Sequence, residues 1–201
     1  MNTATPCPPP LPAIASCLWN GHPYRVTTAE LGAYVDAHLP ALLWDFDIHA
    51  ERIDPDGSTL DEDDLPPDAL HLRVHDCPAF SSGPGAVAHW NDIAGMQITF
   101  ASKDEPEVLL YTGEHLALDN GGFALSERDG QLWIALNGHC DGMHGPARIE
   151  VLAPLTFTTI ACGRRDQAQA REHIATVVDP DHYAFECDEY GVARFRPIHR
   201  R

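Results

Sequence analysis

The sequence predicts an α+β fold, a mostly antiparallel β-sheet with an N-terminal and a C-terminal helix. Through the middle of the chain, apolar and polar residues alternate, which is the pattern of strands with one buried face. Two segments, residues 27–40 and 164–178, instead repeat apolar residues at helical spacing. Because the strands follow one another without intervening helices, we expect an antiparallel sheet and not a series of βαβ units.

The chain begins with a proline-rich segment that includes successive prolines at positions 8–10. Proline lacks a backbone N–H and favours extended chain, so residues 1–20 are expected to form a flexible tail. The remaining residues, 21–201, are expected to form a single acidic α+β domain, since one hydrophobic core usually comprises about 100–200 residues.

The first predicted helix has both a start and a stop signal. Thr27 and Glu30 have the spacing of a capping box, and Pro40 is expected to end the helix. The apolar residues that recur at helical intervals between these signals are Leu31, Tyr34, Val35 and Leu39.

Strands are predicted where apolar residues occupy every second position. Leu70, Leu72 and Val74 alternate with three polar residues, so one face of this strand is expected to be buried. The dipeptide Asp129-Gly130 is typical of a tight hairpin turn. The other strands predicted in this part of the chain span residues 96–100, 108–112, 123–126, 132–136, 148–152 and 155–162.

The second predicted helix, residues 164–178, is expected to end at Asp179-Pro180. After it, residues 183–187 and 192–196 are predicted to form a hairpin around Gly191. The apolar side of the helix comprises Ala170, Ile174, Val177 and Val178.

Acidic residues outnumber basic ones by 30 to 13, which gives a formal net charge of −17 with histidine neutral. The charge is uneven: residues 1–130 hold 21 acids and 5 bases, whereas residues 131–201 hold 9 acids and 8 bases. Such a field repels phosphate backbones and anionic lipids and attracts basic partners. The composition therefore predicts neither a nucleic-acid partner nor a membrane partner.

The proline-rich start carries no lysine or arginine, so it does not have the form of a signal peptide. No later stretch approaches the roughly 18 consecutive apolar residues of a membrane helix. We therefore expect a cytoplasmic protein, in which the 6 scattered cysteines are reduced thiols.

The candidate partner-binding site is the acidic segment that follows residue 53. An EF-hand calcium loop is excluded there, because with Gly57 at the sixth position Arg52 and Leu60 occupy ligand positions. The sequence predicts instead an exposed acidic loop, which is either an ordinary solvated charge run or a surface available to a basic protein. These carboxylates belong to Asp54, Asp56, Asp61, Glu62, Asp63 and Asp64.

The alternative function is a metal-binding domain or a metal-dependent enzyme centred on His139, Cys140 and His144. Imidazole and thiolate are good zinc ligands, and the glycines of NGHCDGMHG allow a tight loop. A structural zinc site normally needs a second ligand pair, and no such pair is identifiable in the sequence. The first hypothesis, a protein that binds a partner through its acidic segment, therefore includes no metal and no cofactor.

The sequence contains no motif that identifies an enzyme. His71, Arg73 and His75 share one face of a predicted strand, which suits acid–base chemistry but equally suits an ordinary exposed polar face. The chain contains no nucleophile elbow, HExxH motif or phosphate-binding P-loop. We therefore predict a non-catalytic protein.

Residues 42–155 resemble a known class of proteins. The segments that carry the resemblance are WDFDIHAERIDPDG, LHLRV, MQITFAS, FALSERDGQLWIALNG and GPARIEVLAP. Their order is similar to that of bacterial polymorphic-toxin immunity proteins. The resemblance implies a non-catalytic protein that neutralises a cognate toxin by direct binding. The acidic charge agrees with this, because many toxin domains that act on nucleic acids are basic.

Overall fold

A computed structural model describes residues 15–35, 42–53, 66–78, 90–101, 107–142, 145–163 and 166–198. Strand accounts for 69% of the structure and helix for 9%. The strands are β1 Ser16–Trp19, β2 His22–Val35, β3 Leu42–Arg52, β4 Ala69–Pro78, β5 Gln97–Phe100, β6 Glu107–Tyr111, β7 His115–Ala117, β8 Asp119–Arg128, β9 Gln131–Gly142, β10 Gly145–Pro154, β11 Thr156–Cys162, β12 Tyr183–Cys187 and β13 Ala193–Pro197. One α-helix, α1 Gln167–Ile174, and 3₁₀ turns at Trp90–Ile93 and Pro180–His182 complete the described elements.

The strands form one 13-stranded sheet that curls into a half-barrel. Its main path has the order β5-β8-β9-β10-β1-β2-β3-β4-β6-β7. The long strand β2 pairs with β1 through its first residues and with β11 through its last ones, and β13 and then β12 continue the sheet from β11. The β2–β11 pairing is parallel, and the other described pairings are antiparallel.

The core lies inside the curl of the sheet. On β3, Trp44 and Phe46 are at most 1% exposed. The Phe46 ring lies 5.2 Å from that of Phe123 on β8, although several strands separate β3 from β8 in the sheet. The Trp44 ring lies 6.1 Å from that of Phe157 on β11. Because alternate residues of β3 fill this core, the residues between them form an outer, polar face.

The predicted N-terminal helix is wrong, because residues His22–Val35 form strand β2. Leu31, Ala33 and Val35 are buried at every second position, whereas Tyr34 lies on the other face and its hydroxyl donates to Asp76. Leu31 and Val35 are four residues apart, a spacing compatible with either a helix or a strand. Pairing with β3 on one side and β11 on the other decides for the strand.

The predicted α+β class is also wrong, and the protein is mostly antiparallel β-sheet. The second predicted helix is present as the shorter α1, where Asp166 accepts a hydrogen bond of 3.0 Å from the Gln169 amide. Ala170 and Ile174 are buried as expected. Strands β12 and β13 follow α1 in the chain, in the order that the sequence predicted. Within the described ranges, no helix is long and apolar enough to cross a membrane.

The two predicted hairpins are confirmed. Asp129 and Gly130 both have positive φ, 52° and 77°, and link β8 to β9 as the predicted tight hairpin. The predicted C-terminal hairpin is present as β12 and β13. Strand β1 falls inside the segment expected to be a tail, while residues 1–14 lie outside the described residues.

Candidate functional site

The predicted acidic site belongs to the connection between β3 and β4. Residues 54–65, which form most of this connection, lie outside the described residues. The two strands that carry the connection are antiparallel neighbours. The predicted partner-binding residues that lie in this segment are Asp54, Asp56, Asp61, Glu62, Asp63 and Asp64.

The base of the acidic segment is tied to the sheet by Arg52 and Tyr24. The Arg52 backbone amide donates to the Asp68 carbonyl at 2.8 Å. Nη1 of the Arg52 side chain donates to the Pro66 carbonyl at 2.6 Å. Arg52 Nη2 also lies 2.9 Å from Asp68 Oδ1. From β2, the buried Tyr24 hydroxyl donates to the Pro67 carbonyl at 2.6 Å. The residues on either side of the segment are therefore held against the sheet, where β3 ends and β4 begins.

A second group of polar residues, the Asp47 cluster, lies on the outer face of β3 and β4. It consists of Asp47, His49 and His71. Asp47 Oδ1 lies 2.8 Å from His49 Nε2 and 2.9 Å from His71 Nε2. On its other side, Asp47 Oδ2 lies 3.3 Å from Arg73 Nε. One carboxylate therefore gathers two imidazoles and a guanidinium.

Strand register brings the Asp47 cluster together. Asp47 and His49 are two residues apart on β3, so both point to the outer face. His71 is the cross-strand partner of His49, and Arg73 is the partner of Asp47. A slip of one residue between the strands would turn Ile48 outward, so core packing fixes this register.

A row of aromatic rings extends the cluster across the sheet. The imidazoles of His49 and His71 stack with centroids 4.0 Å apart, and the Tyr111 ring lies 5.2 Å beyond His71. His115 on β7 contacts Tyr111 edge-on at 4.2 Å. Partial burial lowers the pKa of His71 below its usual range, while the Asp47 carboxylate opposes that shift and His49 adds to it. The net shift favours the neutral form of His71.

Asp45 lies next to the cluster on β3 and has a different environment. Burial raises the pKa of Asp45, while a 3.1 Å hydrogen bond from the Asp76 amide and the nearby His75 act in the opposite direction. His75 Nδ1 lies 3.7 Å from Asp45 Oδ1. His71, Arg73 and His75 thus share the outer face, as the alternation on β4 predicted.

The described part of the alternative metal loop does not converge on one point. Cys140 on β9 is 3% exposed, whereas its neighbour His139 is exposed on the opposite face. Burial raises the pKa of the Cys140 thiol to about 11, and the carboxylates of Asp119, Asp141 and Glu114 raise it further. Zinc would have to displace the proton of this thiol, and His139, on the opposite face of the strand, does not point toward it. His144 lies outside the described residues.

A third polar centre lies in the turn between β12 and β13, where Asp188 accepts three hydrogen bonds. Its Oδ1 accepts from the Val192 amide at 2.8 Å and the Tyr190 amide at 3.0 Å, and its Oδ2 accepts from Arg194 Nε at 2.9 Å. The Val192 amide contributes most to holding the pKa of Asp188 below its usual range. This turn borders an open groove of about 780 Å³, which is lined by Asp188 and Tyr190 of the turn and by Glu30 of β2.

Sequence reasoning did not assign Asp47 and His49 to any site, although it placed His71 and Arg73 on one face. The available signal was the Asp-x-His spacing on β3 beside the His-x-Arg-x-His spacing on β4. Comparisons with protein-family models, curated proteins and solved structures found no match to this chain.

Proposed function

We propose that this chain is a non-catalytic acidic binding protein of the immunity type, which neutralises a cognate toxin by direct contact in the cytoplasm. The observation that carries the proposal is the acidic segment 54–65, which holds six carboxylates and no lysine or arginine. Its flanking residues are held to the sheet by Arg52 and Tyr24. Recognition residues are often found on loops that a rigid scaffold positions.

The overall charge supports a basic protein as the partner. A net charge of −17 creates a long-range field that accelerates encounter with a basic surface. The resemblance of residues 42–155 to immunity proteins suggests the class of partner, a toxin domain that acts on nucleic acid. On such a domain, the carboxylates of the acidic segment would occupy the surface that otherwise binds phosphates.

The proposed mode of binding has a kinetic signature. Exposed charges contribute more to the rate of association than to the final affinity. Their influence falls with ionic strength, because the Debye length shrinks from about 10 Å at 0.1 M salt to about 3 Å at 1 M. Association should therefore slow steeply as salt is added, and the acidic segment should account for much of that slope.

The test uses a quadruple variant, Asp61→Asn, Glu62→Gln, Asp63→Asn and Asp64→Asn. The binding partner is the C-terminal toxin domain of a large protein encoded next to this chain. The rate of association is measured by stopped flow at several salt concentrations. We expect at least tenfold slower association at low salt and a flatter salt dependence. The charge-matched control changes four exposed acids elsewhere, and these changes are Glu127→Gln, Asp141→Asn, Glu172→Gln and Glu189→Gln.

The control separates local contact from total charge. If both quadruple variants slow association equally, only the net charge matters and the acidic segment is not the binding site. If neither has an effect, or if no neighbouring toxin gene exists, the proposed function is wrong. A neighbouring toxin whose activity this chain suppresses in co-expression, and whose association depends on residues 61–64, supports it.

A further inference from the structure

We propose that Asp47, His49 and His71 form a binding site for one divalent transition-metal ion, with zinc as the reference ion. This inference does not depend on the proposed function. Each of the three residues contributes a potential ligand atom, and these atoms all lie within 4.8 Å of one another. Two imidazoles and a carboxylate from neighbouring strands are a common ligand set for transition metals.

The distances are close to those that a zinc ion requires. Zinc bonds of about 2.0–2.2 Å in a tetrahedral arrangement place ligand atoms about 3.3–3.5 Å apart. Asp47 Oδ1 now lies 2.8 Å from His49 Nε2 and 2.9 Å from His71 Nε2. Asp47 Oδ1 therefore needs to move only slightly away from the two nitrogens to admit an ion, and the two nitrogens lie within 4.8 Å of each other.

The protonation chemistry also permits binding. Two imidazole nitrogens at hydrogen-bonding distance from one carboxylate oxygen must each carry a proton, because a lone pair would be repelled. A neutral imidazole can transfer that proton to Nδ1 and so present its Nε2 lone pair to a metal. The ion then replaces two N–H···O hydrogen bonds by three coordinate bonds.

Residues around the cluster restrict the orientation of the three ligands. Arg73 Nε holds Asp47 Oδ2 at 3.3 Å, so Oδ1 alone faces the imidazoles. Tyr111 packs against the other side of the His71 ring, whereas the His49 and His71 rings are nearly parallel, with 14° between their planes, and must tilt for both Nε2 lone pairs to meet at one ion. Outer contacts of this kind orient metal ligands and raise affinity, because fewer rotamers are lost on binding.

The ligand set favours zinc, nickel or copper over magnesium or calcium. Nitrogen donors bind late first-row transition metals strongly, whereas magnesium and calcium prefer sites made entirely of oxygen ligands. The side chains of Asp47, His49 and His71 are 35%, 49% and 29% exposed, so solvent can supply the remaining ligands. An ion at this position would join β3 to β4 just before and just after the acidic segment.

The test is a zinc titration of the full-length chain without a histidine tag, after chelator treatment and removal of the chelator. Isothermal titration calorimetry and competition with a chromogenic chelator should both find one saturable equivalent of zinc. His71→Gln and His49→Gln should each weaken binding at least tenfold, and Asp47→Asn should also weaken it. His139→Gln is the matched control, since His139 is an exposed histidine on another strand, and it should have no effect.

A second measurement keeps the test independent of variant folding. Cobalt bound by the Asp47 cluster should give ligand-field bands without a thiolate-to-cobalt charge-transfer band, because no cysteine takes part. Circular dichroism should show that the His71→Gln variant retains the strand content of the wild type. The proposal is overturned by a thiolate band, by binding that His139→Gln abolishes, by binding of any strength that the His71→Gln change leaves unaltered, or by the absence of zinc binding.

Discussion

Asp47 on β3 and Asp188 in the β12–β13 turn each gather three donors, but the donors differ in kind. Asp188 accepts from two backbone amides and from Arg194. None of these groups can offer a lone pair, so they close the turn and cannot become metal ligands. Asp47 gathers two imidazoles and Arg73, and an imidazole can exchange its N–H for a lone pair. The same number of contacts therefore gives a structural turn in one place and a potential metal site in the other.

The largest expected difference between the two centres is their response to metal. Zinc at a hundredfold excess over its Kd should stabilise the wild type by about 2.7 kcal/mol, since it binds the folded chain. Asp47→Asn should remove most of that stabilisation, and Asp188→Asn should leave it intact. Thermal unfolding with and without zinc measures both effects. Equal loss of the zinc effect in the two variants would show that the ion does not distinguish the centres.

In the absence of metal, we expect Asp188 to contribute more to the stability of the fold than Asp47. Asp188→Ala removes the acceptor of the Val192 and Tyr190 amides, so it should measurably lower the free energy of unfolding. Asp47→Ala removes only partly exposed ion pairs, which are worth about 0–1 kcal/mol. Chemical denaturation of chelator-treated protein compares the two variants. A greater loss of stability in Asp47→Ala would mean that the Asp47 cluster is primarily structural.

Acid should affect the Asp188 turn only at low pH. The Val192 amide is the main cause of the lowered pKa of Asp188. The ionised Asp188 carboxylate therefore makes its full contribution to stability above the usual aspartate range, about pH 4. That contribution is lost as the pH falls below this range and through the lowered pKa. The stability difference between wild type and Asp188→Asn should therefore stay constant from pH 7 to about pH 5 and shrink at lower pH. A difference that fades above pH 5 would contradict this assignment.

Elements decided by local sequence were predictable. The Asp129-Gly130 turn needs two residues with positive φ, and this dipeptide supplies them at little cost. The segment around β2 was not predictable in the same way, because Leu31 and Val35 fit both a helix and a strand. Its strand form depends on β3 and on β11, whose sequence lies more than a hundred residues away.

The candidate sites were predictable only in part, for the same physical reason. Alternation correctly placed His71 and Arg73 on one face of a strand. The contact of His71 with Asp47 and His49 depends on cross-strand register, which core packing sets after the long connection between β3 and β4. The separation of His139 from Cys140 likewise follows from a strand that the sequence suggested was a loop.

The most direct test of the contrast between Asp47 and Asp188 is a crystal structure of the zinc-loaded protein with anomalous diffraction recorded at the zinc edge. We expect one strong anomalous peak within about 2.0–2.2 Å of His49 Nε2, His71 Nε2 and an oxygen of Asp47, and no peak at Asp188. A single strong peak beside Cys140 and His144, or no peak at the Asp47 cluster in zinc-saturated crystals, would contradict it.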